Sequence, residues 1–342
     1  MQTEVLKITD KNSDEVLKKA ALIIKNGGLV VFPTETVYGL GANIFNEEAL
    51  KNIFLAKGRP SDNPLIVHIS NKDELKELVD VVSEDQQKMI DAFWPGPLTI
   101  IFEKKDVISN VVSGGLSTIA VRMPSDVFAN KLIGLAGVPI AAPSANTSGR
   151  PSGTMGIDIL DDLLNKVDMI IDSGKSKIGV ESTVVKINNN SLLILRPGAI
   201  TKEMLEKVVS LPVTFAKKET DLESSPGTKY RHYAPNSNLE IIYGSSDDIL
   251  GNMLEKASAL QKRGLSIGII STKQNESSFE KYKPNVFNIG DQNNLKEISK
   301  NLYSALRFFD LSNVDVILCQ SFLEEGLGVA IMDRLRRASG KI

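Results

Sequence analysis

Val16, Leu17, Ala20, Ala21, Ile23 and Ile24 recur at the three-to-four-residue spacing of one helix face, which predicts a helix over residues 14–25. Gly27-Gly28 ends it, and the unbroken run Leu29-Val30-Val31-Phe32 predicts a short strand buried on both faces. The same pattern predicts helices over 47–56, 73–79 and 84–93, and strands over 65–69, 98–102, 119–123, 138–142, 169–172, 182–187 and 192–196. Polar, Gly- and Pro-bearing runs sit where several of these elements stop. One is Pro33–Gly41, a second is Lys57–Pro64, and a third is Pro143-Ser144-Ala145-Asn146. Residues 216–237 carry no apolar period and mark a linker over 210–237. Strand then alternates with helix, at 239–243, 247–261, 266–271, 295–309, 314–319 and 329–337. That alternation predicts a small doubly wound parallel sheet. The expected organisation is a mixed α/β domain over 1–209, the linker, and a second α/β domain over 238–342.

Length agrees with this division, because 342 residues exceed what one small core organises. Lys plus Arg number 40 against 42 Asp plus Glu, a net charge of −2, so no global basic field favours nucleic acid. Cys319 is the only cysteine, which excludes disulfides and cysteine-rich zinc sites. Its place in Val316-Ile317-Leu318-Cys319 predicts an inert buried thiol. Met1-Gln2-Thr3-Glu4 lacks the basic-then-apolar form of a signal peptide, and no apolar run reaches the length of a membrane span. The expected location is the cytoplasm.

Both histidines lie in polar, turn-rich surroundings: His68 closes the run that follows Lys57, and His232 lies within Ser225–Pro235. Lys57 and Arg59, just past a helix, together with Ser144 and Asn146 at a strand end, could clamp a triphosphate. The alternative is a helix end whose cations complement the macrodipole. Arg122 is an arginine on a strand that should otherwise be buried. It requires a partner, either a ligand carboxylate or a structural Asp or Glu. Gly174-Lys175-Ser176 resembles the end of a phosphate-binding loop, but Met169 stands where such a loop needs Gly.

The runs Phe32–Gly41, Lys57–His68, Trp94–Thr99, Val121–Pro124, Ala141–Arg150, Glu181–Val184 and Leu195–Gly198 resemble the YrdC-domain threonylcarbamoyl-AMP synthases. Ser225–Pro235 and Gly326–Ala338 resemble the longer, two-domain branch of that family. The resemblance implies a YrdC-like twisted open mixed sheet with a concave cleft, a linker crossing near it, and a smaller C-terminal Rossmann-like doubly wound domain. It implies that L-threonine, bicarbonate and ATP are joined into L-threonylcarbamoyladenylate with release of pyrophosphate. Other proteins would then transfer the threonylcarbamoyl group to tRNA. Carried over by position, Thr36, His68, Arg122 and Ser182 would hold L-threonine, with Arg122 on its carboxylate. Lys57, Arg59, Asn63, Thr118, Ser144, Asn146, Ser152 and Arg196 would hold ATP, and His232 and Tyr233 would close over the nucleotide. Lys57 and Arg59 would offset charge developing at the phosphates, with Mg²⁺ carried by ATP rather than by a protein cage.

Two other classes compete with this reading. A non-enzymatic RNA-binding module using the cleft fits poorly with the net charge, and direct tRNA binding is expected to be weak or absent. A carbamoyltransferase of the hydrogenase-maturation type resembles longer, cysteine-rich chains. The C-terminal domain is expected to gate or regulate the first. Removal of residues 238–342 with the linker retained should therefore weaken turnover, and unchanged turnover in a steady-state assay would contradict that role.

Overall fold

The computed structural model describes residues 2–216, 232–245 and 248–340. It divides into two compact units, which are described separately. Among the described residues, the first holds 2–148 and 152–216, and the second holds 149–151, 232–245 and 248–340.

The first unit is built on one mixed sheet. Its strands are β1 (Glu4–Lys7), β2 (Val30–Phe32), β3 (Gly39–Asn43), β4 (Ile66–His68), β5 (Leu98–Glu103), β6 (Thr118–Arg122), β7 (Ile140–Ala141), β8 (Met169–Asp172), β9 (Thr183–Asn188), β10 (Ser191–Arg196) and β11 (Val213–Phe215). Their spatial order is β1-β8-β2-β3-β7-β4-β6-β5-β9-β10-β11. The central strands lack polar alternation because both faces are covered. Val31 and Ile170 join a core with helix Glu47–Lys57, while Val30, Phe32, Met169 and Ile171 join another with helices Ser13–Lys25 and Val127–Ala136. Complete burial of Leu17 or Ile24 contributes about 1.5–3 kcal/mol per side chain.

Several elements depart from the sequence reading, each for a local reason. Gly39-Leu40-Gly41, expected within a loop, opens β3. A Cβ on Gly41 would lie 2.7 Å from Phe32 and 2.9 Å from Ile140, so the glycine serves close strand approach rather than a turn. Helix Val127–Ala136 is absent from the expected elements although it is well bounded. The Asp126 side chain accepts from the amides of Phe128 and Ala129, and Gly137 ends it at φ +63°. The sheet also continues past residue 209, since β11 pairs in parallel with β10. Residues 217–231 of the expected linker lie outside the described residues.

The second unit carries a four-stranded parallel sheet of β12 (Asn238–Ile242), β13 (Ile267–Ser271), β14 (Val286–Asn288) and β15 (Val316–Gln320), in the order β12-β15-β13-β14. The expected Rossmann-like arrangement is present, with β14 as an additional edge strand. Its two faces are distinguished by residue parity. Ile267 and Ile269 pack with Met253 and Ala257 of helix Ile249–Lys262, whereas Gly268 faces Phe309 of helix Leu295–Asp310. A Cβ at Gly268 would lie 2.6 Å from the Phe309 ring. Gly268→Val should therefore destabilise the protein by about 1–3 kcal/mol through overpacking, as read by denaturant unfolding. An unchanged midpoint would show that this face tolerates extra volume.

Candidate active site

Three polar side chains meet across adjacent central strands. His68 ends β4, Arg122 ends β6 beside it, and Thr99 of β5 stands opposite Arg122. All three are buried. The segment after β2 lies against them. Its backbone is satisfied by surrounding chain: Ile178 N donates to Glu35 O at 2.8 Å, Gly179 N to Thr36 O at 3.0 Å, and Ala145 N to Tyr38 O at 2.8 Å.

Arg122 donates through Nη1 to Thr36 Oγ1 at 2.9 Å and through Nε to Gly96 O at 3.3 Å, and its Nη2 pairs with Glu35 Oε1 at 2.7 Å. The structural carboxylate left open by the sequence is thus Glu35. Ser125 N also donates to Glu35 Oε1, at 3.1 Å. Burial pushes the Glu35 carboxyl up, but the charge and hydrogen bond of Arg122 outweigh it and hold the group below the ordinary value. A guanidinium has five N–H donors. Thr36, Gly96 and Glu35 occupy three of them, which leaves two for a ligand.

His68 is neutral. Burial, reinforced by the nearby Arg122 charge, lowers its pKa to about 3. Its Nδ1 lies 3.1 Å from Ile66 O, which can only accept, so this nitrogen carries the proton. A second group is centred on Ser182. Its hydroxyl lies 2.7 Å from Thr99 Oγ1 and receives Arg196 Nη2 at 3.1 Å, while Arg196 Nε and Nη2 also reach Ser182 O. Gly198 permits this approach: a Cβ there would lie 2.4 Å from Thr183 N and 2.7 Å from Glu181 O. Next along the chain, Glu181 accepts from Ser152 Oγ at 2.6 Å.

The cations expected at the triphosphate differ in placement. Helix Glu47–Lys57 stops at Gly58, whose φ of +60° suits glycine, and Lys57 in its last turn is buried. The Lys57 ammonium donates to the carbonyls of Ser144 and Asn146, and Ser148 N donates back to Lys57 O at 2.8 Å. Lys57 therefore holds the loop that carries Ser144 and Asn146, instead of projecting from an exposed helix end as the sequence alone allowed. Within that loop Ser144 Oγ donates to Asn146 Oδ1 at 2.6 Å. Arg59 is half-buried, borders a cavity of about 870 Å³, and bonds Asn63 Oδ1 at 2.6 Å and Pro64 O at 2.9 Å. Thr118 opens β6, at the other end of that strand from Arg122.

His232 and Tyr233 belong to the second unit and are buried there. The Tyr233 ring lies 5.4 Å from that of Tyr303, with the Arg334 guanidinium 5.3 Å from its centroid. Cys319 is buried as expected, and burial pushes its thiol up to about 12. Among the described residues no cluster of three or more His, Cys, Asp or Glu side chains could hold a metal, and no helix is long and apolar enough to cross a membrane. The sequence reading did not single out Glu35, Thr99 or Gly198. Glu35 was legible in principle, as an acidic residue in a strand-end run of a chain with a strand-borne arginine.

The His68 environment has a consequence for acid stability. Its folded pKa lies below the ordinary 6.5, so as pH falls the unfolded chain binds the proton first and stability is lost. Between about pH 6 and pH 4 this loss approaches ~1.4 kcal/mol per pH unit. His68→Gln should flatten that slope in denaturant titrations. A mutant slope equal to that of the wild type would contradict a neutral buried His68.

Comparison with known proteins gives consistent results for both units. A family model described as telomere recombination, covering Sua5, YciO and YrdC, matches residues 22–198, and one described as the threonylcarbamoyl-AMP synthase C-terminal domain matches 200–340. The chain is 42% identical over 342 residues to a threonylcarbamoyl-AMP synthase of Pyrococcus abyssi, spanning 99% of this chain and 98% of the relative. It is 42% identical over 339 residues to a Bacillus subtilis protein of the same name, spanning 97% and 96%. The crystal structure of Pyrococcus abyssi Sua5 complexed with L-threonine matches with a TM-score of 0.91 at 41% identity, covering 100% of this chain and 98% of that one.

Proposed function

The chain belongs to the Sua5/YciO/YrdC family in its two-domain form, and we propose that it makes L-threonylcarbamoyladenylate from L-threonine, bicarbonate and ATP, releasing pyrophosphate. The observation that carries this reading is similarity along the whole chain to proteins named for that activity. It is supported by a buried arginine that keeps two donors for a carboxylate among side-chain hydroxyls.

In this reading Arg122 takes the threonine carboxylate, and Thr36, His68 and Ser182 surround the remaining polar groups. Neutral His68 adds no cation beside the amine, which must be unprotonated to react. The amine nitrogen bonds to the carbon of bicarbonate with loss of water. A carbamate oxygen then attacks the α-phosphorus of ATP, and the bond to the β-phosphate oxygen breaks as pyrophosphate leaves. Positioning and charge supply most of the acceleration in such a step. Arg59 is the cation assigned to the phosphates, with Asn63, Thr118, Ser144, Asn146, Ser152 and Arg196 completing the nucleotide site. Lys57 acts through the loop it anchors and is a positioning residue. The described residues furnish no carboxylate cage, so Mg²⁺ is assigned to the nucleotide and no step is routed through protein-bound metal. The product passes to machinery that modifies tRNA, and the cytoplasm is the compartment that fits.

Purified protein should release pyrophosphate from ATP only when both L-threonine and bicarbonate are present. Arg59→Ala should lower that rate by at least the ~100-fold typical of losing one transition-state contact. Release indifferent to threonine would overturn the substrate. Salt-sensitive RNA binding without any release would favour the RNA-binding reading instead.

A further inference from the structure

The second unit contains a cavity of about 580 Å³ that the proposed reaction does not use. Its location follows from the sheet's connections. The chain leaves β12 for helix Ile249–Lys262, which packs on the face presenting Ile267 and Ile269. After β14 it returns through helix Leu295–Asp310 on the opposite face, where Phe309 meets Gly268. From β15 it continues into helix Leu327–Ser339, which packs with helix Leu295–Asp310. Neighbouring strands β12 and β15 therefore send their connections to opposite faces, and a crevice must open between them at their carboxyl ends. The cavity lies there, bounded by Tyr243–Ser245 after β12 and Gln320–Glu324 after β15.

We propose that this crevice is a second ligand site and that its ligand is a neutral nucleoside. The amides of Gln292, Asn293 and Gln320 and the hydroxyls of Ser245 and Ser321 line it, a set that offers donors and acceptors to a heterocyclic edge and to ribose. Ile249 and Phe322 supply apolar surface for the flat faces of a base. Among the described residues no cation lines the cavity, and the one charged group in its wall is the Glu324 carboxylate, so an anionic ligand is disfavoured. Arg336, the neighbouring cation, is paired with that carboxylate.

Hydrogen–deuterium exchange of the full-length protein, with and without millimolar adenosine, tests this without requiring turnover. Exchange over 243–245 and 320–324 should slow several-fold in the wild type and equally in Arg59→Ala. Ser321→Trp, which fills the cavity, and Gln320→Met, which removes an amide at similar volume, should each abolish the effect while melting as cooperatively as the wild type. Inorganic phosphate should leave these segments unchanged. Protection confined to 57–63 and 144–146, protection surviving both variants, or equal protection by phosphate would each overturn the proposal. Because the readout lies in the second unit, it stands or falls independently of the pyrophosphate assay.

Discussion

A guanidinium at the end of a core strand is the constraint around which the first unit is arranged. Taking Arg122 out of water costs several kcal/mol unless charge and hydrogen bonds compensate, and removing one partner of such a pair typically costs about 3–5 kcal/mol. Glu35 supplies the charge, while Thr36 and Gly96 supply further acceptors. Glu35 can do so only because the segment after β2 is pulled across the neighbouring strands. That placement would strand its own backbone groups if Ile178, Gly179 and Ala145 did not donate to its carbonyls. One buried charge thus explains why segments near residues 35, 122, 145 and 179 meet at one place.

Rigidity of the site follows from the same arrangement. Ser182 is held by Thr99 and Arg196, and the loop of Ser144 and Asn146 is held by Lys57. Few of these groups need to reorganise to meet a ligand, which is how a site accelerates a reaction that asks little covalent help from protein. The second unit has a different logic. Its parallel strands and opposed helices open a crevice wherever connections diverge, whatever the first unit does.

Much of this was legible in the sequence. Unbroken apolar runs such as Leu29–Phe32 and Met169–Ile171 are satisfied by a sheet covered on both faces, and β2 and β8 form there. Gly39–Asn43 was not legible, because a glycine required for close approach looks the same in a sequence as one required for a turn. Val213–Phe215 falls in the expected linker because three residues set no period, and pairing with β10 decides their state. The positions of Thr36, His68, Arg122 and Ser182 could be named in advance, and the structure gathers them around the central strands. Their partners could not be named, since Thr99 reads as any strand residue and Glu35 as any loop carboxylate. Lys57 shows the limit most clearly. Its neighbourhood suggests a phosphate contact, yet the fold turns its ammonium onto two backbone carbonyls.

The proposed role of Arg122, held by Glu35, is to bind a substrate carboxylate. Titration calorimetry of the full-length protein with L-threonine and with L-threoninamide tests it directly, since the two differ only in that group. Threonine should bind measurably, with a loss of at least ~10-fold in affinity for the amide, the minimum expected when a charge-assisted hydrogen bond is removed. Equal affinity for the two would contradict it, and Arg122 would then be a structural ion pair alone.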